Sequence, residues 1–350
     1  MPARFRLGIT RDFLKPDGTV GFGDIGLHLL GSPAAVDWEF LPHYEEEISP
    51  DIADNYDGLL VLKPTVSRRT VTGGRRLCLV ARFGVGYDNV DVDACTENHV
   101  MLTITPDGVR RPVAVSALAF LLALSHRLLI KDQLTRAGRW DEKLNYMGVG
   151  LTGRVLGVIG MGNIGREFLR LAAPLEMRHV GHDPHVPPAQ AAAWGVEWLE
   201  LDALLAAADF VVVCCALTSQ TRHLLDARRL GLMRSESFLI NVARGPIVDQ
   251  AALTKVLSER RISGAALDVF DQEPVDPQDP LLGLDNVILA PHAICWTDEL
   301  FRGIGRSAVE GVLATSQGRF PSYVVNQAVL GSSCLQQKVH RFQGSSDHAS

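Results

Sequence analysis

The stretch VLGVIGMGNIGREF, residues 155–168, constrains the fold of this chain more than any other segment. A short apolar run leads into Gly160, Gly162 and Gly165, and an amphipathic helix-like segment follows. In a strand–turn–helix unit, glycines at this spacing allow a tight turn, the approach of a pyrophosphate, and close packing of helix on strand. The motif alone is a weak signal, so the rest of the chain decides its meaning.

The surroundings of the motif favour dinucleotide binding. Backbone N–H groups near Asn163 and Ile164 are expected to face the phosphate, at the positive end of the helix dipole. Asp183 ends the next strand-like run, about 20 residues beyond the glycines, where a carboxylate holds the adenosine ribose hydroxyls. Because this carboxylate repels a 2′-phosphate, the sequence predicts NAD. The alternative is that Asp183 is an ordinary turn residue before Pro184.

Strand-like and helix-like segments alternate along the chain. Five apolar strand-like runs occupy the first hundred residues, and six more follow from Val155. Such alternation predicts an α/β fold with two doubly wound parallel-sheet domains. The later six runs fit a dinucleotide-binding domain.

Several segments suggest boundaries. The stretch TPDGVRRP, residues 105–112, contains two prolines and one glycine and indicates a break between domains. An apolar helix is expected over about 113–134, and another long helix after His292. The residues from Gly331 onward have little apolar periodicity and are expected to form a mobile, disordered tail.

Composition excludes several classes of function. With a net charge of −6 and no long basic block, the chain is not expected to bind nucleic acid. The apolar stretch 113–124 is too short to span a bilayer, and the N-terminus lacks a signal-peptide core, so a cytoplasmic protein without membrane contact is expected. The six cysteines lack metal-binding spacing, so no metal is expected and the thiols are read as reduced.

Charged side chains gather where three of the later strands are expected to end. These are Arg244, then Asp268 with Glu273 shortly after it, and His292. Ligands of open α/β sheets bind at the carboxyl ends of the strands. An arginine can bind a carboxylate through two parallel hydrogen bonds, and a histidine can protonate a carbonyl oxygen. Alone, each could be a surface, loop or capping residue; together they favour hydride transfer to a 2-oxo acid.

Five stretches occur in the order found in one enzyme family: ARFGVGYDNVDVDAC, GRVLGVIGMGNIG, LINVARGPIVDQAAL, GAALDVFDQEP and NVILAPHAICWT. They resemble the D-isomer-specific 2-hydroxyacid dehydrogenases, which include D-3-phosphoglycerate dehydrogenase, glyoxylate/hydroxypyruvate reductase and D-lactate dehydrogenase. The resemblance implies a discontinuous flavodoxin-like substrate domain, residues 1–105 plus 298–330, and a Rossmann NAD-binding domain, residues 106–297. Residues 331–350 would be the tail.

The resemblance also implies roles for individual residues. Arg244 would bind the substrate carboxylate, and His292 with Glu273 would act as the acid/base pair. Asp268 would bind the nicotinamide end of the cofactor, and Thr218 would be a further cofactor-binding residue.

The same family pattern matches the loop Gly84-Val85-Gly86 to backbone N–H groups that hold the substrate carboxylate. The first domain would close over the cofactor domain. A homodimer built largely through the cofactor domain is implied, with the apolar 113–134 helix at the interface. The partners are therefore a small 2-hydroxy or 2-oxo acid and a second copy of the chain.

Departures from the family pattern leave the substrate open. Ser116 stands where Glu or His is common, Cys215 precedes Ala216 in place of an apolar–Pro pair, and Cys295 and Trp296 replace small residues.

Two alternative functions share the fold. One is a formate-dehydrogenase-like enzyme, in which a Gln replaces the Glu beside the His; Glu273 argues against it. The other is an NAD-sensing scaffold resembling co-repressors, which keep the catalytic residues.

Overall fold

The computed structural model describes residues 4–31 and 36–343. The chain divides into two compact units. Unit 1 comprises Met1–Val109 and Thr297–Ser350, and unit 2 comprises Arg110–Trp296. The first unit is therefore discontinuous in sequence, whereas the second is continuous.

Twelve strands are present in the described residues: β1 Phe5–Ile9, β2 Val36–Phe40, β3 Gly58–Val61, β4 Leu79–Arg82, β5 Met101–Thr103, β6 Val155–Ile159, β7 Arg178–His182, β8 Glu197–Trp198, β9 Phe210–Val213, β10 Phe238–Asn241, β11 Gly264–Leu267 and β12 Val287–Leu289.

The α-helices of the same residues are α1 Pro50–Ala53, α2 Arg68–Val71, α3 Val92–Glu97, α4 Pro106–Ser125, α5 Leu128–Arg136, α6 Asn163–Ala172, α7 Pro188–Ala193, α8 Leu201–Ala207, α9 Ala227–Leu230, α10 Gln250–Ser258, α11 Asp298–Ser316 and α12 Ser333–His340. Short 3-10 segments occupy Arg11–Phe13, Leu27–Leu30, Trp140–Tyr146, Ala173–Leu175, Gly245–Ile247, Pro280–Gly283 and Gln327–Gly331.

Unit 1 is built on a five-stranded parallel sheet with the order β2-β1-β3-β4-β5. This order is that of flavodoxin-like folds. The central strand β3 is buried along its whole length, because helices and loops cover both faces of a parallel sheet. The five expected strands and the flavodoxin-like class are confirmed.

Unit 2 contains a seven-stranded parallel sheet with the order β12-β11-β10-β9-β6-β7-β8. Outward from β6, the order follows the Rossmann arrangement, in which the chain reverses direction across the sheet between β6 and β9. Strands β9, β10 and β11 are fully buried, and apart from Asn241 at the end of β10 they are apolar. The Rossmann class is confirmed, and the two-residue β8 is an addition that the sequence pattern did not indicate.

The break between domains expected at 105–112 coincides with the division of the chain, because unit 1 ends its first segment at Val109 and unit 2 begins at Arg110. The secondary structure is nevertheless continuous there. These residues begin α4, which continues to Ser125 and contains Pro112. A proline leaves the carbonyl four residues before it without its usual partner and crowds it. Here Gly108 occupies that position, and the Ser116 hydroxyl donates to the Pro112 carbonyl at 2.9 Å. The apolar helix expected over 113–134 is also divided, because Arg127 adopts a left-handed conformation before α5.

Helix α4 is the one described helix that is long and apolar enough to cross a membrane, with a mean hydropathy of 1.4. In the structure, 61% of that stretch is buried. Its apolar side chains join the core of unit 2 with those of α6, as expected of the core helix of a globular protein.

The disordered tail expected from residue 331 is wrong for the part of it that the structure describes. Ser333–His340 form α12, and Leu335, Val339 and Phe342 are buried. The Phe342 ring lies edge-on to Phe5, with 5.1 Å between the ring centres. Long-range packing therefore orders this short helix. The remainder of the expected tail, 344–350, lies outside the described residues.

Candidate functional site

The glycine loop, residues 160–165, joins β6 to α6. Gly160 has a φ of +91°, and a Cβ there would lie 2.5 Å from the backbone nitrogen of Cys215. A Cβ on Gly165 would lie 2.1 Å from the carbonyl oxygen of Gly160. A side chain at either position would therefore separate the loop from β9 or the helix from its strand.

Gly162 serves a different purpose from its two neighbours. A Cβ built on it would meet nothing within 4 Å, so the backbone here faces open space. Gly162 precedes α6, and within the described residues no side chain caps that helix start. The first N–H groups of the helix, at Asn163 and Ile164, are thus available to an anion. The loop fits a dinucleotide pyrophosphate.

Asp183 lies just past the end of β7, beside the glycine loop. Its carboxylate accepts hydrogen bonds from the backbone N–H of Met161 at 2.8 Å and of His185 at 2.9 Å. The same side chain that is predicted to hold the ribose therefore also fixes the glycine loop. Thr218 lies in the exposed loop after β9, where its N–H donates to the Thr221 hydroxyl at 2.7 Å.

Arg244 follows β10 in a turn organised by a buried amide. The Asn241 side chain accepts from the N–H of Ala243 and donates to the carbonyl of Arg244, both at 3.0 Å. Asn241 is 1% exposed, so its amide is buried. The Arg244 guanidinium donates to the Ala243 carbonyl at 2.8 Å. Asn241 thus holds the backbone that presents Arg244.

Gly245 brings two loops of the site into contact. A Cβ at this position would lie 1.9 Å from the backbone carbon and oxygen of Phe270. Only glycine permits this approach. The turn that carries Arg244 therefore sits directly against the loop that leads to Glu273.

Glu273 and His292 form a hydrogen-bonded pair, with His292 Nδ1 2.7 Å from Glu273 Oε2. The other carboxylate oxygen of Glu273 accepts from the N–H of Phe270 at 3.0 Å. Burial opposes ionisation of Glu273, but these two hydrogen bonds and the charges of His292 and Arg244 outweigh it and lower the pKa of Glu273. Both side chains stay partly open to solvent. Because Nδ1 pairs with Glu273, Nε2 is the ring nitrogen of His292 that lies outside this hydrogen bond.

Asp268 fixes the backbone beyond the histidine. Its Oδ1 accepts from the N–H groups of Ala293 and Ile294, at 2.8 and 3.0 Å. Asp268 is 4% exposed, and this burial raises its pKa despite the two hydrogen bonds and the nearby His292. His292 itself has a φ of +53°, a conformation rare outside glycine, and Asp268 helps to maintain it.

The loop at Gly84 lies in unit 1, at the carboxyl end of β4. Gly84 has a φ of +137°, and its carbonyl accepts from the N–H of Thr105 at 3.0 Å. Val85 and Gly86 follow, each partly exposed. Their predicted contact with a substrate carboxylate remains a prediction.

The departures from the family pattern have distinct surroundings. Ser116 is buried and bonded to its own helix. Cys215 packs against Gly160. Burial raises the pKa of the Cys295 thiol to about 11, whereas Trp296 is 48% exposed. Within the described residues, no three His, Cys, Asp or Glu side chains are placed to hold a metal ion.

Sequence reasoning missed two residues of the site, Asn241 and Gly245. Both lie beside Arg244 in the motif INVARG, so an asparagine at a strand end and a glycine directly after a candidate arginine were the available signals. Their roles depend on contacts with distant backbone, which the local pattern does not reveal.

A Rossmann domain with an arginine and a His–Glu pair at its strand ends defines a nicotinamide-dependent dehydrogenase. Comparison with known proteins narrows the class. The sequence model described as D-isomer specific 2-hydroxyacid dehydrogenase, NAD binding domain, matches residues 118–293.

Two relatives are named glyoxylate reductase. The protein of Korarchaeum cryptofilum is 38% identical over 73% of this chain and 78% of its own length. That of Thermococcus onnurineus is 35% identical over 84% of this chain and 90% of its own. The TT0316 protein of Thermus thermophilus has a similar crystal structure, with a TM-score of 0.80 and 29% identity, over 91% of this chain and 99% of that one.

This chain belongs to the D-isomer specific 2-hydroxyacid dehydrogenase family. It is an NAD-dependent oxidoreductase, and its cofactor is NAD.

Proposed function

We propose that this protein transfers a hydride between NAD and the C2 carbon of a small D-2-hydroxy acid or its 2-oxo acid. The observation that carries the proposal is the 2.7 Å contact between His292 and Glu273, on the loop that packs against the Arg244 turn. When bound, the dinucleotide supplies the hydride for reduction or accepts it in oxidation. The remaining chemistry belongs to residues of this chain.

The cofactor would lie across the carboxyl ends of the strands of unit 2 and would be held at several points along its length. The glycine loop with Asn163 and Ile164 would bind the pyrophosphate, and Asp183 the ribose hydroxyls. Thr218 and Asp268 would lie along the path toward the nicotinamide. The bonds from Met161 and His185 to Asp183 already orient its carboxylate for this role.

His292 would donate a proton to the carbonyl oxygen during reduction and remove it from the hydroxyl during oxidation. Its Nδ1–H is committed to Glu273, so Nε2 is the nitrogen left for this exchange. The Glu273 carboxylate fixes the orientation of the ring through this hydrogen bond. Since the pKa of Glu273 is lowered, this carboxylate keeps its charge throughout the neutral range.

Arg244 would bind the substrate carboxylate and polarise the 2-oxo oxygen. A guanidinium offers a planar pair of donors that match a carboxylate, which a lysine lacks. The carboxylate-binding role of the Gly84-Val85-Gly86 loop belongs to the same proposal.

Glyoxylate is the first substrate to test, because two relatives bear the name glyoxylate reductase. Formate oxidation needs no proton acceptor, so an enzyme for that reaction does not need a carboxylate beside the histidine. The presence of Glu273 therefore argues against a formate-dehydrogenase-like function. The co-repressor-like scaffold predicts NAD binding without turnover.

We further propose that the protein is a cytoplasmic homodimer. Unit 2 exposes several large apolar side chains along α4, α5 and the following 3-10 segment, among them Leu128, Trp140, Leu144 and Met147. Leu144 and Met147 are 79% and 78% exposed. Such a cluster is typical of a protein–protein interface. Analytical ultracentrifugation tests this: a protein that sediments as a monomer at micromolar concentration contradicts it.

The decisive experiment for the reaction is a panel of 2-oxo acids with NADH, using wild type and His292→Asn. We expect turnover with at least one small 2-oxo acid, and a loss of about 10²–10⁴-fold in kcat with little change in NADH affinity in the variant. Turnover by neither protein, with NADH still bound, would favour the scaffold. Equal turnover by both would remove His292 from the chemistry.

A further inference from the structure

A groove of about 470 Å³ lies in unit 1, between α12 and the polypeptide that follows α2 and α3. Helix α12 contributes Cys334, Gln337 and Lys338, and Arg341 directly follows it; the spacing of three or four residues places all four on one face. Arg75 and His99 belong to the facing loops. Its volume lies within the range of roughly 300–1,000 Å³ typical of small-molecule sites. We call it the basic groove.

The charge of the basic groove contrasts with that of the whole chain. Its lining carries the cations Arg75, Lys338 and Arg341, and the carboxylate Glu97. Glu97 is already paired with Arg68. The chain as a whole has a net charge of −6. A positive concavity on an acidic protein concentrates small anions.

Lys338 builds the groove but has no donor to spare. Its buried amine donates to the carbonyls of Leu77 at 2.9 Å, Asn98 at 3.3 Å and Gly74 at 3.4 Å. An ammonium has three N–H donors, so all of them are used. Lys338 therefore joins α12 to both facing loops and fixes the width of the groove.

Arg341 retains donors for a ligand. One of its amino groups donates to the buried Asp57 carboxylate and to the Arg76 carbonyl. A guanidinium has five N–H donors, so the other amino group and Nε still have capacity. Because Asp57 is fully buried and holds Arg341 in place, a ligand that binds this guanidinium does not need to order it.

Three further side chains add hydrogen-bonding capacity. Arg75 is exposed, and across residues 4–31 and 36–343 its guanidinium has no hydrogen-bond acceptor. The Gln337 amide is likewise exposed and unbonded within that part of the chain. The His99 Nδ1 pairs with the Ser332 hydroxyl at 2.8 Å, which leaves Nε2 for a ligand. Most of the hydrogen-bonding groups of the lining that have no partner within the described residues are donors.

We propose that the basic groove binds a small anion with at least two negative charges, a phosphate ester or a polycarboxylate. Arg75 and Arg341 bind its charged oxygens, and Gln337 and His99 complete the contacts. Since Arg75 lies on a loop and Arg341 at the C-terminal end of α12, a ligand that bridges them stabilises the docking of α12. The site lies wholly within unit 1 and uses none of the catalytic residues.

Calorimetric titration of the full chain tests the proposal. Inorganic phosphate and citrate are the probes, at ionic strength fixed with KCl and with saturating NADH to occupy the dinucleotide site. Arg75→Glu removes the proposed contact, and Arg69→Glu is the matched control, because Arg69 is also exposed in unit 1 but lies outside the groove. Gln337→Ala is a second groove variant.

We expect saturable binding of at least one probe, weakened at least tenfold by Arg75→Glu, weakened to a lesser degree by Gln337→Ala and unchanged by Arg69→Glu. The bound probe should also raise the Tm of wild type and of Arg69→Glu, but not that of Arg75→Glu. Binding of phosphate alone identifies a phosphoryl ligand, and of citrate alone a polycarboxylate. Absence of saturable binding to wild type, or equal effects of Arg75→Glu and Arg69→Glu, overturns the proposal.

Discussion

The contact between Gly245 and Phe270 allows a sharp test of how the site is assembled. In Gly245→Ala the new Cβ would lie 1.9 Å from the Phe270 carbonyl, whereas ordinary van der Waals contact begins at 3.4 Å. One backbone must therefore move by roughly 1.5 Å. Because the atoms it meets are main-chain atoms, no side-chain rotation can relieve the overlap.

The displacement separates the Arg244 turn from the loop that leads to Glu273. A misplacement of about 1 Å in a catalytic group can cost about 10²-fold in rate. We expect kcat/KM for 2-oxo acid reduction to fall by about 10²-fold or more. Overpacking should also destabilise the fold by about 1–3 kcal/mol. NADH affinity should change little, because the glycine loop at 160–165 is untouched.

Gly283→Ala is the matched control. Gly283 is also in unit 2 and has an ordinary φ, and a Cβ there meets nothing within 4 Å. Its stability should stay within about 0.5 kcal/mol of wild type. Steady-state kinetics, NADH titration by fluorescence and thermal melting of both variants make the comparison. A Gly245→Ala protein with the kinetics and melting temperature of Gly283→Ala would refute the reasoning.

Four other outcomes are expected. Glu273→Gln removes the carboxylate that accepts from His292 Nδ1 and orients the ring, so kcat for 2-oxo acid reduction should fall while NADH affinity changes little; an unchanged kcat would contradict the pairing. The stabilisation that ionised Glu273 gives the fold is present at neutral pH and is lost as the pH falls through its lowered pKa, and Glu273→Gln should flatten this acid limb in melting experiments. Arg244→Lys keeps the charge but loses the planar fork, so KM should rise and kcat should fall in steady-state kinetics; unchanged values would remove Arg244 from the site. NADH should bind more tightly than NADPH, and Asp183→Ser should narrow that preference; equal affinities of wild type for the two cofactors would count against the ribose role.

The parts of the fold that were predictable from sequence are those specified by local pattern. The glycine spacing after Val155–Ile159 and the buried apolar runs indicate both parallel sheets, because inner strands such as β3, β9 and β11 are buried on both faces and stand out as apolar runs in the sequence. Arg244, Glu273 and His292 could be proposed as site residues from the sequence because they follow strands, and parallel strands end at one edge.

The features that sequence reasoning missed depend on contacts between distant residues. Helix α12 has only two fully buried positions, Leu335 and Val339, in a polar stretch, and its order comes from Phe5 and Asp57 at the other end of the chain. Pro112 usually marks a break, but here the helix continues through it. The role of Asn241 likewise requires the folded turn that it closes.

The discontinuity of unit 1 has a consequence for biosynthesis. A ribosome makes residues 110–296 without interruption, so the whole of unit 2 is available to fold while the chain is still growing. Unit 1 cannot complete its fold at that stage, because its first segment contacts its last segment. The N–H of Leu102 in β5 donates to Asn326, and the Arg341 guanidinium donates to Asp57. The first half of unit 1 therefore remains incomplete until the last segment is released, and this interval is when chaperones have most to protect.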